Sequence, residues 1–245
     1  MGSTDWTEFD DDLDLASLDR GVTTAIARPN GGGAFVYGFN SRTVADGGAA
    51  LFSNQVNFAP TPPNKGGSIR AAIQRGISAG ETGFSPFLIM LAQGQSLNDS
   101  AYLLGLQDDA PYRIALRKGR ILDGILSGNP GGAEGILRRS TATYGNGVWL
   151  HTRLDAVVNL NGDVILKAFQ NDLNANPVTA PVWTPIPGIE DSDLVASHGA
   201  GTAFVDDALS MNGGSFTSGR MGFGISVTDV SRRGFFDHIE VIRQL

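Results

Sequence analysis

From Gly21 onward the chain is a succession of short runs rich in β-branched and aromatic residues, each closed by a turn signal. No stretch keeps the apolar period of a long amphipathic helix. The runs are Val22–Ala27, Ala34–Phe39, Ala50–Phe58, Ser68–Arg75, Phe87–Ala92, Ala101–Leu106, Tyr112–Leu116, Ile136–Tyr144, Val148–Leu160, Asp163–Phe169, Ala203–Leu209, Met221–Val227 and Phe235–Arg243. Recurring strands without intervening helices exclude parallel α/β units and predict an antiparallel two-sheet sandwich. Glycine supports this: 33 of the 245 residues are Gly, many clustered between the apolar runs where tight turns need them. The clearest local signal is Asn161-Gly162 between Leu154–Leu160 and Val164–Phe169, which predicts a hairpin with a type I′ turn. A second hairpin is expected at Lys118-Gly119, and a further turn at Asp108–Pro111. Gly66–Gly76 has helix-like spacing but glycine at both ends, which favours a strand.

Composition bounds the functions. The chain has no cysteine, so disulfides and thiolate metal sites are excluded. No apolar run approaches the roughly 20 residues that span a bilayer. The acidic start does not read as a secretory signal. The net charge of −7 is concentrated at the start: residues 1–20 hold Asp5, Glu8, Asp10, Asp11, Asp12, Asp14 and Asp19 against Arg20 alone. We therefore read an acidic N-terminal arm over 1–20 and a single, nearly neutral sandwich domain over 21–245. Such a body lacks the basic surface that nucleic acid requires. Asp11–Asp19 has leucines at Leu13, Leu15 and Leu18 compatible with one or two helical turns.

Catalytic patterns are weak. Glu190-Asp191-Ser192-Asp193 falls in an evident loop, and the odd spacing of Asp237 and Glu240 points them to opposite faces of a strand. Neither arrangement gives the two facing carboxylates that glycoside hydrolysis needs. His151, His198 and His238 are scattered; His151 shares a strand face with Trp149. Gly31–Gly33 and Gly131-Gly132 lack the Lys-Ser/Thr of a phosphate cradle. Asp206-Asp207 and the Asn159–Asp163 turn are calcium candidates, but they read as a strand end and a hairpin tip. No catalytic residue, cofactor or metal site is expected.

Val148–Asp172 reads VWLHTRLDAVVNLNGDVILKAFQND, and Gly219–Val241 reads GRMGFGISVTDVSRRGFFDHIEV. With Trp6, Phe9 and Phe35–Phe39 near the start, these segments resemble the concanavalin A-like (laminin-G, lectin and glucanase) superfamily, in the form found in bacteriophage virion proteins. The pattern positions are Trp149, Arg153, Asp155, Gly162, Asp163, Gly219, Arg220, Gly222, Gly224, Phe236, Asp237 and Val241. The resemblance implies a jelly-roll sandwich and a non-enzymatic virion structural protein, tail-associated or on the capsid surface. That protein would be homo-oligomeric, partnered with other virion proteins and assembled in the host cytoplasm. The alternative is a carbohydrate-binding adhesion module for host-surface glycans, with Trp183 in Pro181–Pro185 as the ring that stacks on sugar. A buried core plug is an equal reading of Trp183. In the packing that the residues suggest, Trp149, Leu150 and Leu154 fill the core, Phe223 packs between two small neighbours, and Asp237 bonds backbone or an arginine such as Arg220.

Overall fold

The computed structural model describes residues 6–10, 18–23, 27–33, 36–41, 47–53, 66–76, 84–107, 110–125, 135–189, 204–206, 215–227 and 233–243. These residues form strands and connections, with no helix among them. The strands are β1 (Trp6–Asp10), β2 (Leu18–Thr23), β3 (Val36–Ser41), β4 (Gly47–Ser53), β5 (Gly66–Arg75), β6 (Phe84–Ala92), β7 (Ser100–Leu106) and β8 (Ile114–Arg120). They continue with β9 (Gly135–Arg139), β10 (Trp149–Val158), β11 (Val164–Asn171), β12 (Thr184–Pro185), β13 (Phe204–Asp206), β14 (Arg220–Val227) and β15 (Arg233–Arg243). The first sheet runs β1-β4-β14-β6-β7-β8-β9 and the second β12-β11-β10-β5-β15-β3-β2, with β13 also on β11. Every pairing among them is antiparallel. The chain is an all-β jelly-roll sandwich, as its alternation predicts.

Successive side chains on a strand point to opposite faces, so the period of two sorts each sequence into a packing set and an outer set. On β10, Leu154, Ala156 and Val158 enter the core while His151, Arg153 and Asp155 face out; on β5, Ile69, Ala71 and Ile73 enter while Arg70, Ala72 and Gln74 face out. The inward residues meet Leu88, Met90, Leu104, Leu116 and Ile225 of the first sheet. Phe39, Phe223 and Phe236 form the centre, with ring centroids 4.8–6.3 Å apart. Burying such a side chain is worth about 1.5–3 kcal/mol. Gly222, beside Phe223, has its missing Cβ only 2.1 Å from the Leu51 carbonyl oxygen, so only glycine lets β14 and β4 approach this closely.

The outer face of the first sheet is also covered. Phe52, Phe87, Ile89 and Leu103 pack beneath Leu97 of the β6–β7 connection and Ile121 and Ile125 of the segment after β8. Arg117, 1% exposed, ties that segment down by donating to the carbonyls of Arg120 and Gly124.

Several expectations are corrected. The hairpin at 159–163 exists, but its turn is not type I′: Gly162 N–H bonds Asn159 O, and Gly162 (φ 84°) follows as the single left-handed residue. This is a type I turn with a glycine bulge. Asn159 Oδ1 caps it by accepting from the Asn161 and Asp163 amides. Lys118-Gly119 is no turn, because β8 runs through it. Lys118 is fully buried with its ammonium 4.8 Å from the Phe216 ring centre, a cation–π contact that lets a lysine occupy a strand interior. Residues 1–20, expected as an acidic arm, contain β1 and half of β2, so the boundary at residue 20 falls inside β2. Both are edge strands, where charge is readily carried. Residues 11–17, the possible helical turns, lie outside the described residues.

Candidate functional site

The outer face of the second sheet carries its polar residues in rows across four strands. One row is Asn171, His151, Ala72 and Asp237 on β11, β10, β5 and β15; the next is Phe169, Arg153, Arg70 and Glu240. Two residues of β5 separate these rows but three of β15 do, because a bulge sits between Asp237 and Glu240 and His238 adopts φ 53°. The bulge overturns the expectation from odd spacing: Asp237 and Glu240 share one face.

The first row is roofed. Residues 27–33 and 171–183 cross above it, joined by Val178 N–H to Asn30 O (2.9 Å) and Asn30 Nδ2 to Leu173 O (3.0 Å). Gly32 lies directly over Asp237, whose Oδ2 is 2.5 Å from where a Gly32 Cβ would stand. His151 is 1% exposed. Its tautomer follows from Asn171. The Asn171 amide is oriented by two backbone bonds, Oδ1 accepting from Val182 N–H and Nδ2 donating to Asn176 O. Nδ2 is therefore the donor facing His151 Nδ1 at 3.2 Å, so Nδ1 is bare and the proton sits on Nε2. That Nε2 and Asp237 Oδ2 are buried without a hydrogen-bond partner. Burial, with Arg70 and His238 nearby, holds the His151 imidazole at about 4. Burial also pushes the Asp237 carboxyl above its ordinary value, the backbone N–H of His238 partly opposing it. Asp237 thus bonds backbone, as expected, and its oxygen contact is with His238 rather than Arg220.

The second row is open. Arg70 donates to Glu240 through Nε (2.8 Å) and a terminal nitrogen; Arg153 does the same to Asp155, with Nε at 2.7 Å. Trp183, partly exposed, stacks on the outer face with its centroid 4.6 Å from that of His151 and 5.8 Å from the Arg153 guanidinium. It is an outer-face ring, not a core plug. Phe169, its cross-strand partner on β11, also packs on the Arg153 guanidinium at 5.0 Å. Beside Trp183, Val182 is 57% exposed.

Trp149 is also displaced from its expected place in the core: it faces out, partly exposed, with its indole N–H on Ala27 O (2.8 Å). Leu150 and Leu154 pack as expected. Asn159–Asp163 is a hairpin tip, and Asp206 ends β13; Asp207, Glu190–Asp193 and His198 lie outside the described residues. No group of three or more metal-ligating side chains occurs among the described residues. Gly76–Gly80 has the Gly-x-Ser-x-Gly spacing of a nucleophile elbow after β5, but residues 77–80 are outside the described set. Sequence reasoning missed Arg70 and Asn171 and put Glu240 on the wrong face; only the register and the bulge bring them together.

No protein-family model matches the chain, and no curated protein sequence matches it. Among solved structures, it is similar to the cellulose-induced protein Cip1, at 15% identity, covering 100% of this chain and 94% of that one with a TM-score of 0.49. The VIP36 exoplasmic/lumenal domain, in its Ca2+/Man3GlcNAc-bound form, is similar at 11% identity over 95% of this chain and 86% of that one, TM-score 0.48. The carbohydrate-binding module CBM66 of Bacillus subtilis is similar at 9% identity over 92% and 94%, TM-score 0.44.

Proposed function

We propose that this chain is a non-enzymatic carbohydrate-binding module that takes its glycan on the open row of the second sheet. One observation carries the reading: Trp183 is a partly exposed indole locked against His151 beside the ion-paired row Arg153, Arg70 and Glu240. A sugar ring has an apolar C–H face and a rim of hydroxyls. An indole takes the first, and fixed guanidinium and carboxylate groups take the second. Each arginine spends Nε and one terminal nitrogen on its carboxylate, which leaves the other terminal nitrogen for a ligand. Because these groups are already held, little side-chain freedom is lost on binding.

Hydrolysis is the weaker reading although Asp237 and Glu240 share a face. Asp237 is roofed by Gly32, and Glu240 is held by Arg70, so neither is presented to a scissile bond. A place on a virion, with other virion proteins as partners, rests on the sequence resemblance alone.

The test is a glycan array followed by calorimetry on the parent protein and Trp183→Ala. Losing a stacking contact of about 1–1.5 kcal/mol weakens binding about tenfold. A parent protein that binds no glycan, or a Trp183→Ala variant that is folded by circular dichroism and binds undiminished, would refute the reading.

A further inference from the structure

Behind the ridge formed by residues 182–184 lies a cleft of about 560 Å³ that no sequence motif announces. Its walls come from three separate stretches, 28–30, 144–150 and 170–174, with Thr184 at its edge. Thr184 opens β12 and follows Trp183 directly, so the cleft adjoins the Trp183 platform at the start of β12.

The lining of the cleft is mostly neutral, with one cation, Arg28, and one carboxylate, Asp172. Trp149 forms an apolar wall, fixed by its indole N–H on Ala27 O. Besides Asn171, whose amide is spent on Val182 N–H and Asn176 O, four amide or carboxylate side chains face the same space, and each is anchored by hydrogen bonds that occupy only one end of it. Gln170 accepts through Oε1 from the Tyr144 hydroxyl (2.8 Å), leaving its amide N–H groups. Asn30 donates through Nδ2 to Leu173 O, leaving Oδ1. Asn174 donates through Nδ2 to Asp172 Oδ1 (3.2 Å), leaving its own Oδ1 and Asp172 Oδ2. One donor group and three acceptors that make no protein hydrogen bond thus stand pre-set around a fixed aromatic wall. Neutral polyhydroxylated ligands need that combination, since every hydroxyl both donates and accepts. Arg28 and Asp172 put one charge of each sign on the lining, so neither an anion nor a cation is favoured, and a purely apolar ligand would strand the four polar groups.

We infer that this cleft is a second saccharide subsite, so that the ligand is a neutral oligosaccharide with one unit on Trp183 and another in the cleft. The inference rests on the glycan reading above. Engaging both sites makes the second contact intramolecular, so affinity rises steeply with chain length once the ligand reaches both.

The experiment uses cello-, xylo-, manno- and chito-oligosaccharides as mono-, di-, tetra- and hexasaccharides. Calorimetry compares the parent protein with Asn174→Ala and Gln170→Ala, and tryptophan emission is followed in Trp183→Phe, which retains Trp6 and Trp149, of which Trp149 lines the cleft. Expected are a gain of at least about tenfold from the short to the long ligands, its loss in Asn174→Ala and Gln170→Ala with short-ligand affinity kept, and an emission change in Trp183→Phe on adding hexasaccharide. A length-dependent gain that survives both cleft variants, or an affinity that does not rise with length, overturns the inference while leaving the Trp183 site intact. If the parent binds none of these sugars and no glycan on the array, the glycan reading itself fails.

Discussion

Acidification tests the roofed row. His151 is neutral, buried and locked by Asn171 below Trp183, and its imidazole titrates at about 4 instead of the ordinary 6.5. As pH falls below 6.5 the unfolded chain takes up this proton first, so unfolding becomes progressively easier; the stability that the neutral ring contributes is fully present above 6.5 and lost towards 4. A displacement of about 2.5 units at 1.36 kcal/mol each makes that loss about 3 kcal/mol by pH 4. Asp237 acts with the opposite sign. Its raised carboxyl protonates earlier in the folded protein, so it gains stability on acidification. A comparison of parent and His151→Gln removes that contribution, since Asp237 is present in both. Urea unfolding at intervals from pH 7 to 4 is the assay, with the two stability curves converging by about 3 kcal/mol as pH falls. Histidine NMR on the parent protein gives an independent reading even where the variant fails to fold: one of the three imidazoles should titrate near 4. Parallel stability curves, or three imidazoles all titrating near 6.5, would refute the buried neutral tautomer.

Two glycines separate steric cost from backbone cost. Gly222→Ala drives a methyl to 2.1 Å from the Leu51 carbonyl and should cost about 3 kcal/mol or more in chemical denaturation. Gly162→Ala meets nothing within 4 Å, so its φ of 84° alone should cost about 1–2 kcal/mol. Asn171→Ala leaves Val182 N–H and His151 Nδ1 without this partner and should cost about 2–3 kcal/mol. The same change should speed hydrogen exchange across 172–183 and weaken glycan binding along with it, because Trp183 loses its anchor; unchanged exchange there would separate Asn171 from the roof.

The sandwich was legible in the sequence because alternation is a local property: Leu154, Ala156 and Val158 announce an inward face wherever β10 lies. Phase was harder at strand ends. Size alone puts Trp149 inward, whereas the register of β10 with β5 turns it out to Ala27. Lys118-Gly119 has turn chemistry, yet an aromatic neighbour a hundred residues away supplies the partner that keeps Lys118 in a strand. Trp183 was visible as a proline-flanked ring, but its support by His151 and Asn171 was not. The bulge at His238 carries no motif, and without it Glu240 falls on the wrong face. The cleft was invisible for the same reason: residues 28–30, 144–150 and 170–174 meet only through the fold.

The two sheets divide their labour unequally, and this decides where a ligand can bind. Each sheet has an inner face spent on the common core. The first sheet also spends its outer face: Phe52, Phe87, Ile89 and Leu103 are fully buried beneath Leu97, Ile121 and Ile125, pinned by Arg117. That surface is a second small core, and opening it exposes apolar area at about 25 cal/mol per Å². The second sheet keeps an outer face of paired charges. Ala72 is the small member between His151 and Asp237, and the roof above that row leaves the adjoining row of Arg153, Arg70 and Glu240 uncovered. Fixed polar groups beside a partly exposed indole are therefore found, among the described residues, on the open row of the sheet whose outer face neither buried apolar cluster uses. Recognition there can change without cost to the core, since a substitution at Trp183 or Glu240 removes no residue that either buried cluster uses.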